Sequence, residues 1–129
     1  MGTELGILGF YGIVVILTIV VQAQVAAGQV GLGSLLQPRD DMPKLTGIAG
    51  RLDRAQANSI TAMALFAPAV LILGHLGIST ATTLAAARLF LIARVLFVPF
   101  YAFGINGLRT LVWATGILCT LWLYVAALI

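Results

Sequence analysis

Charge is what this chain has least of. Only 9% of its 129 residues are Asp, Glu, Lys or Arg, and 61% are hydrophobic, whereas a soluble domain carries about 25% charged residues. A water-soluble fold is excluded on that ground, and the lipid bilayer is the expected surrounding. Acidic residues are Glu4, Asp40, Asp41 and Asp53. None of them sits deep within an apolar run, which disfavours a small multidrug exporter, since a proton-driven carrier needs an acid at membrane depth. Cysteine occurs once, at Cys119, so no intrachain disulfide can form; within an apolar run such a thiol acts as a small hydrophobe. Histidine also occurs once, at His75, and with no second metal-type ligand nearby no metal site is expected. The start of the chain lacks the positive charge of a signal peptide, so the first apolar run is expected to be retained. Gly6 stands where a myristoylation motif needs Ser or Thr. The net charge of +3 does not point to nucleic acid, because the basic residues flank or enter apolar segments and form no basic, aromatic-interleaved surface.

What is present in quantity is long apolar sequence. Residues 5–27 contain no charge and exceed the roughly 20 residues needed to cross a bilayer core. Their many β-branched residues do not argue for strands, because in hydrocarbon a spanning backbone must be satisfied within a helix or a closed barrel, and no alternating pattern supports a barrel. The spacing predicts helices over about 5–30, 51–75, 82–103 and 108–129. The expected fold is all-α, an integral membrane four-helix bundle forming a single domain over residues 1–129. Residues 28–50, with Pro38, Pro43 and several glycines, read as a loop. Pro68 and Pro99 fall inside the second and third helices, and Pro68 is expected to kink its helix. Arg39, Lys44, Arg51, Arg54 and Arg109 lie in or beside the first and third loops, and none of the seven basic residues lies at the termini or in the second loop. The positive-inside rule puts loops one and three in the cytoplasm and both termini outside.

The second helix opens with a polar stripe. Arg51, Arg54, Asn58 and Thr61 follow one another at spacings of three, four and three, which at about 100° per residue keeps them on one side of a helix. Polar groups carried to membrane depth mark a site by default. Helices two and three should be antiparallel, so residues at equal depth have position numbers adding to a constant. Arg54 with Tyr101, Asn58 with Phe97, and Thr61 with Arg94 all share that constant. Arg94, Phe97 and Tyr101 also share one face. If the two stripes meet, they form a crevice lined by Arg54, Asn58, Thr61, Arg94, Tyr101 and Arg109. Arg94 has no evident acidic partner there, and a ligand with several carboxylates would supply one. Arg88 points away from this face.

Arg54-Ala-Gln-Ala-Asn58, Arg94-Val-Leu-Phe-Val-Pro-Phe-Tyr101 and Gly107-Leu-Arg109-Thr-Leu-Val-Trp113 together resemble the MAPEG family, membrane-associated proteins in eicosanoid and glutathione metabolism, and most of all its small bacterial members. The resemblance runs from about Pro38 to the C-terminus. It implies a homotrimer of four-helix subunits, located in a bacterial inner membrane, that binds glutathione as co-substrate near the cytoplasmic face. It implies a transferase or peroxidase acting on lipophilic electrophiles or lipid hydroperoxides. The family's glutathione-binding residues fall on Arg54, Asn58, Arg94 and Tyr101, with Arg51 and Thr61 on the same stripe. Its thiolate-stabilising arginine falls on Arg109, with Tyr101 beside it as a hydrogen-bond donor. Three positions depart from the family pattern. Thr61 replaces a glutamate, Phe97 replaces a His or Tyr, and the first helix ends in Gln24, Gln29 and Gly31 without the usual basic residue. The alternative reading is accordingly a catalytically inactive relative that binds a lipid or other amphiphile.

Overall fold

The computed structural model describes residues 2–36 and 44–129, apart from the side chain of Ser34. Pro38, Arg39, Asp40, Asp41 and Pro43 lie outside the described residues. The chain forms α1 (Glu4–Val30), α2 (Leu32–Leu36), α3 (Gly47–Leu76), α4 (Ala81–Ala102) and α5 (Asn106–Leu128). All but α2 are long and apolar enough to cross a membrane, and they form an all-α bundle of the expected class. At 1.5 Å per residue even α4, with 22 residues, spans about 33 Å, enough for a hydrocarbon core. Leu17, Ile16, Leu71, Ile92 and Leu118 point outward with more than half of their surface free. In water such a surface would aggregate; in lipid it is the solvated face.

Two features differ from the sequence expectation, both next to the first loop. The short α2 occupies part of what reads as loop, and α3 starts at Gly47, a turn before Arg51. Gly47 and Gly50 are poor helix formers, so the early start needs support from elsewhere. Gln29 gives it: its amide nitrogen donates to the Thr46 carbonyl at 2.9 Å, and its amide oxygen accepts from the Thr46 N–H at 2.8 Å. The chain then folds back so tightly that a Cβ on Gly50 would lie 2.9 Å from the carbonyl oxygen of Leu45. Glycine is needed there for space. At the far end of α3 the backbone turns left-handed at Gly77, φ 69°, and α4 begins on a capping box between Thr80 and Thr83. Both α3 and α4 run unbroken through Pro68 and Pro99.

The core is centred on three aromatic rings from three helices. Phe66 and Phe90 stack with centroids 3.9 Å apart, and Tyr11 meets Phe90 edge-on at 5.0 Å. Ile7, Val70, Leu73 and Leu123 close around them. Small residues at Ala55, Ala62, Ala69 and Ala87 are buried at the helix contacts, where they let the backbones approach in the absence of any hydrophobic driving force between helices. The buried face of α3 carries Ala55, Ser59, Ala62 and Phe66; Asn58, one residue before Ser59, therefore falls at its edge. That offset places the polar stripe at a flank of the bundle.

Candidate functional site

The polar side chains gather where α3 begins, α4 ends and α5 begins. Along α4 a guanidinium, two rings and a second guanidinium follow one another. The Arg94 guanidinium carbon lies 4.1 Å from the centroid of Phe97, the Phe97 and Tyr101 rings are 5.5 Å apart, and Arg109 from α5 sits over Tyr101 at 4.6 Å. Spacings of three and four residues along α4 bring the first three onto one face. From α3, Arg54 donates from Nε to the Tyr101 hydroxyl at 3.2 Å. A cavity of about 250 Å³ opens beside this column, lined by Asn58, Phe97, Tyr101, Arg109, Thr110 and Trp113. Its walls are aromatic, and its polar groups are cationic or neutral. The acids among the described residues lie elsewhere: the Asp53 carboxylate accepts from Gln22 at 3.4 Å, and Glu4 lies at the opposite end of the bundle, accepting from Ser79 and Thr83.

Arg94 is the unusual member. It is 2% exposed and about 12 Å inside the end of α4 by helical rise. Its Nη2 donates to Asn58 Oδ1 at 2.9 Å and, weakly, to Ser59 Oγ at 3.5 Å. Its Nε, fully buried, has no partner. Neither of its acceptors is charged. A buried cation with neutral acceptors and a spare donor is costly unless something anionic completes it. Its side chain fits because α5 presents Gly116, where a Cβ would lie 3.3 Å from Arg94 Cδ.

The structure brings Arg54, Asn58, Arg94, Tyr101 and Arg109 together, and it leaves two of the expected residues out. Thr61 is exposed, and its hydroxyl donates to the Ala57 carbonyl one turn back. Three residues of helix turn it about 60° from Asn58, far enough to leave the cavity. The depth rule pairs Thr61 with Arg94, yet Arg94 reaches Asn58, because an arginine side chain covers the roughly 4.5 Å between the two levels. Arg51 is engaged otherwise: its Nε donates to the carbonyl of Ala102 at 2.7 Å, closing the end of α4, where the helix dipole favours a cation. The rule does hold for Arg54 with Tyr101, and Phe97 lines the cavity beside Asn58. Arg88 is exposed, away from the site.

Sequence reading missed Thr110, Trp113, Ser59 and Gly116 as parts of this site. Trp113 reads as an interface anchor near a helix end, though its spacing of four from Arg109 carried the relevant signal. Ser59 and Gly116 gave none, since a serine or glycine in an apolar helix is ordinary. Among the described residues, a cavity at the opposite end of the bundle is lined by Thr3, Glu4 and Ser79 and carries an acid in place of cations. One between α1 and α4 is lined by Val14, Leu17, Val95 and Pro99 and has an almost wholly apolar wall.

Searches of curated proteins and of solved structures give no match for this chain. A protein-family model does match, over residues 5–129, and it covers every residue of the site just described. The chain belongs to the MAPEG family.

Proposed function

We propose that this chain is a glutathione-dependent membrane transferase or peroxidase whose ligand enters the cavity beside Arg109 and Tyr101 from the cytoplasm, and that it works as a homotrimer in a bacterial inner membrane with both termini outside. The observation that supports the reading most is Arg94: a guanidinium buried beside the cavity, held by neutral groups and left with a free donor. A tripeptide thiol bearing two carboxylates is the kind of ligand that such a cationic, partly aromatic cavity suits, because guanidinium groups bind carboxylates strongly and with directional bonds. Arg54 and Asn58 hold the ligand at the rim and wall, and Arg94 draws its anionic end inward. Arg109 sits at the start of α5, half-buried and fixed over the Tyr101 ring. A fixed cation in a site poor in water favours a thiolate over a thiol, and the Tyr101 hydroxyl stands ready as a hydrogen-bond donor to it. Bound glutathione supplies the nucleophilic sulfur. It forms a thioether with an electrophilic carbon as the leaving group departs with the bonding pair and the thiol proton passes to it or to solvent. Alternatively, at two glutathiones per turn, it gives two electrons to a hydroperoxide to yield the alcohol, water and glutathione disulfide. Phe97 and Trp113 form the apolar wall on which a lipophilic second substrate rests.

The deciding experiment is a glutathione titration of purified protein in detergent, followed by the ultraviolet absorbance of the thiolate. Saturable binding with thiolate formation is expected, and Arg109→Ala should bind without forming thiolate. An absence of saturable binding would overturn the proposal. Thr61 motivates the second reading, an inactive relative holding a lipid or amphiphile, since its hydroxyl is turned outward and cannot neutralise Arg94. Under that reading glutathione binds only after Thr61→Glu, and the native chain retains a co-purified amphiphile that glutathione does not displace.

A further inference from the structure

Tyr11 lies on α1, which contributes nothing to the cavity wall, yet two chains of contact run from it to Arg94. Its hydroxyl, wholly buried, donates to the backbone carbonyl of Ser59 at 3.0 Å. Ser59 is the neighbour of Asn58, and these two residues hold Arg94 Nη2. The Ser59 hydroxyl is itself committed to the Ala55 carbonyl at 2.8 Å, which leaves its lone pair facing the guanidinium. The second chain runs through the ring. Tyr11 meets Phe90 edge-on at 5.0 Å, and Phe90 and the Arg94 side chain both lie over Gly116, with Phe90 Cδ2 at 3.8 Å and Arg94 Cδ at 3.3 Å from where a Cβ would stand. Arg94 is thus gripped at its head through α3 and at its stem between α4 and α5.

We propose that Tyr11 is a positioning residue for the ligand site: through Ser59 and Phe90 it fixes the Arg94 guanidinium, and with it the Asn58 amide, in the orientation that receives a carboxylate. This inference rests on the glutathione reading above. The physical reason is that a long side chain with a spare donor has many orientations, and a site binds well only when supporting contacts have already chosen one. Tyr11 is buried and does not line the cavity, so its effect passes through Arg94.

The test is a double-mutant cycle read by glutathione binding at equilibrium. Tyr11→Phe deletes the hydroxyl and keeps the ring in the core. It should weaken glutathione about fivefold, the factor that one neutral hydrogen bond carries, and leave the diethyl ester of glutathione, which lacks free carboxylates, bound as by the native protein. In an Arg94→Lys background Tyr11→Phe should have no further effect, because coupled residues are non-additive. A general loss of stability would weaken both ligands and would persist beside Arg94→Lys. Ser59→Ala, which removes only the hydroxyl facing the guanidinium, gives a second route to the same loss. Equal weakening in both backgrounds, or none in either, overturns the inference and leaves the glutathione reading standing. Failure of the native protein to bind glutathione overturns both.

Discussion

Arg94 shows how far one residue can set stability against function. Its charge is buried to within 2% of its surface, its acceptors are the neutral Asn58 and Ser59, and its Nε has no partner. Burying such a group costs free energy, and replacing buried ionic groups by apolar ones of similar volume is often neutral or stabilising. Arg94→Met keeps most of the stem that packs over Gly116 and removes the uncompensated charge, at the loss of the guanidinium contact with the Phe97 ring. The freed Asn58 amide faces the cavity, where water can satisfy it. Arg94→Met is therefore expected to raise the thermal midpoint in detergent, by about 1–2 kcal/mol of added stability, while abolishing glutathione binding. Calorimetry of the two proteins side by side checks both halves. A variant that unfolds earlier than the native chain would mean that Arg94 is a structural residue and that its partners already satisfy it. At this scale the sequence was partly legible. A lone arginine deep in apolar sequence announces itself, as does its spacing to Phe97 and Tyr101. Thr61 was misplaced because helical arithmetic assigns an angle to each Cβ and cannot say which angles a neighbouring helix covers. Ser59 was missed for the converse reason: its role comes from Arg94, 35 positions away on another helix.

At the scale of elements, each end of the bundle is closed by a charged side chain at a helix terminus. At the site end Arg51 donates to the Ala102 carbonyl that ends α4. At the other end Glu4, 5% exposed, accepts from Thr83 Oγ1 at 2.6 Å and from Ser79 Oγ at 3.0 and 3.1 Å. Ser79 and Thr83 flank the start of α4, where the positive end of the helix dipole favours an anion. Cation at the C-terminus and anion at the N-terminus of one helix is the arrangement that helix electrostatics prefers, and it ties α4 to α1 and α3. Glu4→Ala would remove the charged acceptor that Thr83 and Ser79 share, leaving the buried Thr83 hydroxyl only the Thr80 carbonyl at 3.1 Å. Since hydrogen bonds to charged groups contribute about 1.5–3 kcal/mol, a loss of about 2 kcal/mol is expected in unfolding experiments. Glutathione affinity should not change, because the site lies at the other end of α4. Reduced affinity in a folded Glu4→Ala protein would show that the two ends are coupled. The helices themselves were legible from hydropathy and length. The early start of α3 was not, because it depends on Gln29 pairing with the Thr46 backbone across 17 residues, a contact that local propensity opposes.

For the whole molecule, the cavity poses a question of enclosure. Its wall is built from α3, α4 and α5, and its flank is open to whatever lies beside the bundle. Arg54 and Thr61 are exposed, and seven residues apart they lie within about 20° of each other on α3. Near the end of a span Arg54 could extend to the headgroups, but it is held inward by Tyr101, and lipid tails against an open cationic cavity would leave its donors unsatisfied. A second copy of the chain, offering polar groups at the same depth, closes the flank without that cost. In the homotrimer proposed above the neighbouring chains supply that cover, and we expect binding to depend on them. Light scattering in a mild detergent should give the protein mass of a trimer. In a series of harsher detergents glutathione binding should fall in step with dissociation, while circular dichroism still reports intact helices. The helices should survive because each satisfies its own backbone, whereas the ligand site needs its flank covered. A monomer that keeps its helices and binds glutathione as tightly as the native particle would show that one chain encloses the site by itself, and the trimer would then have no part in binding.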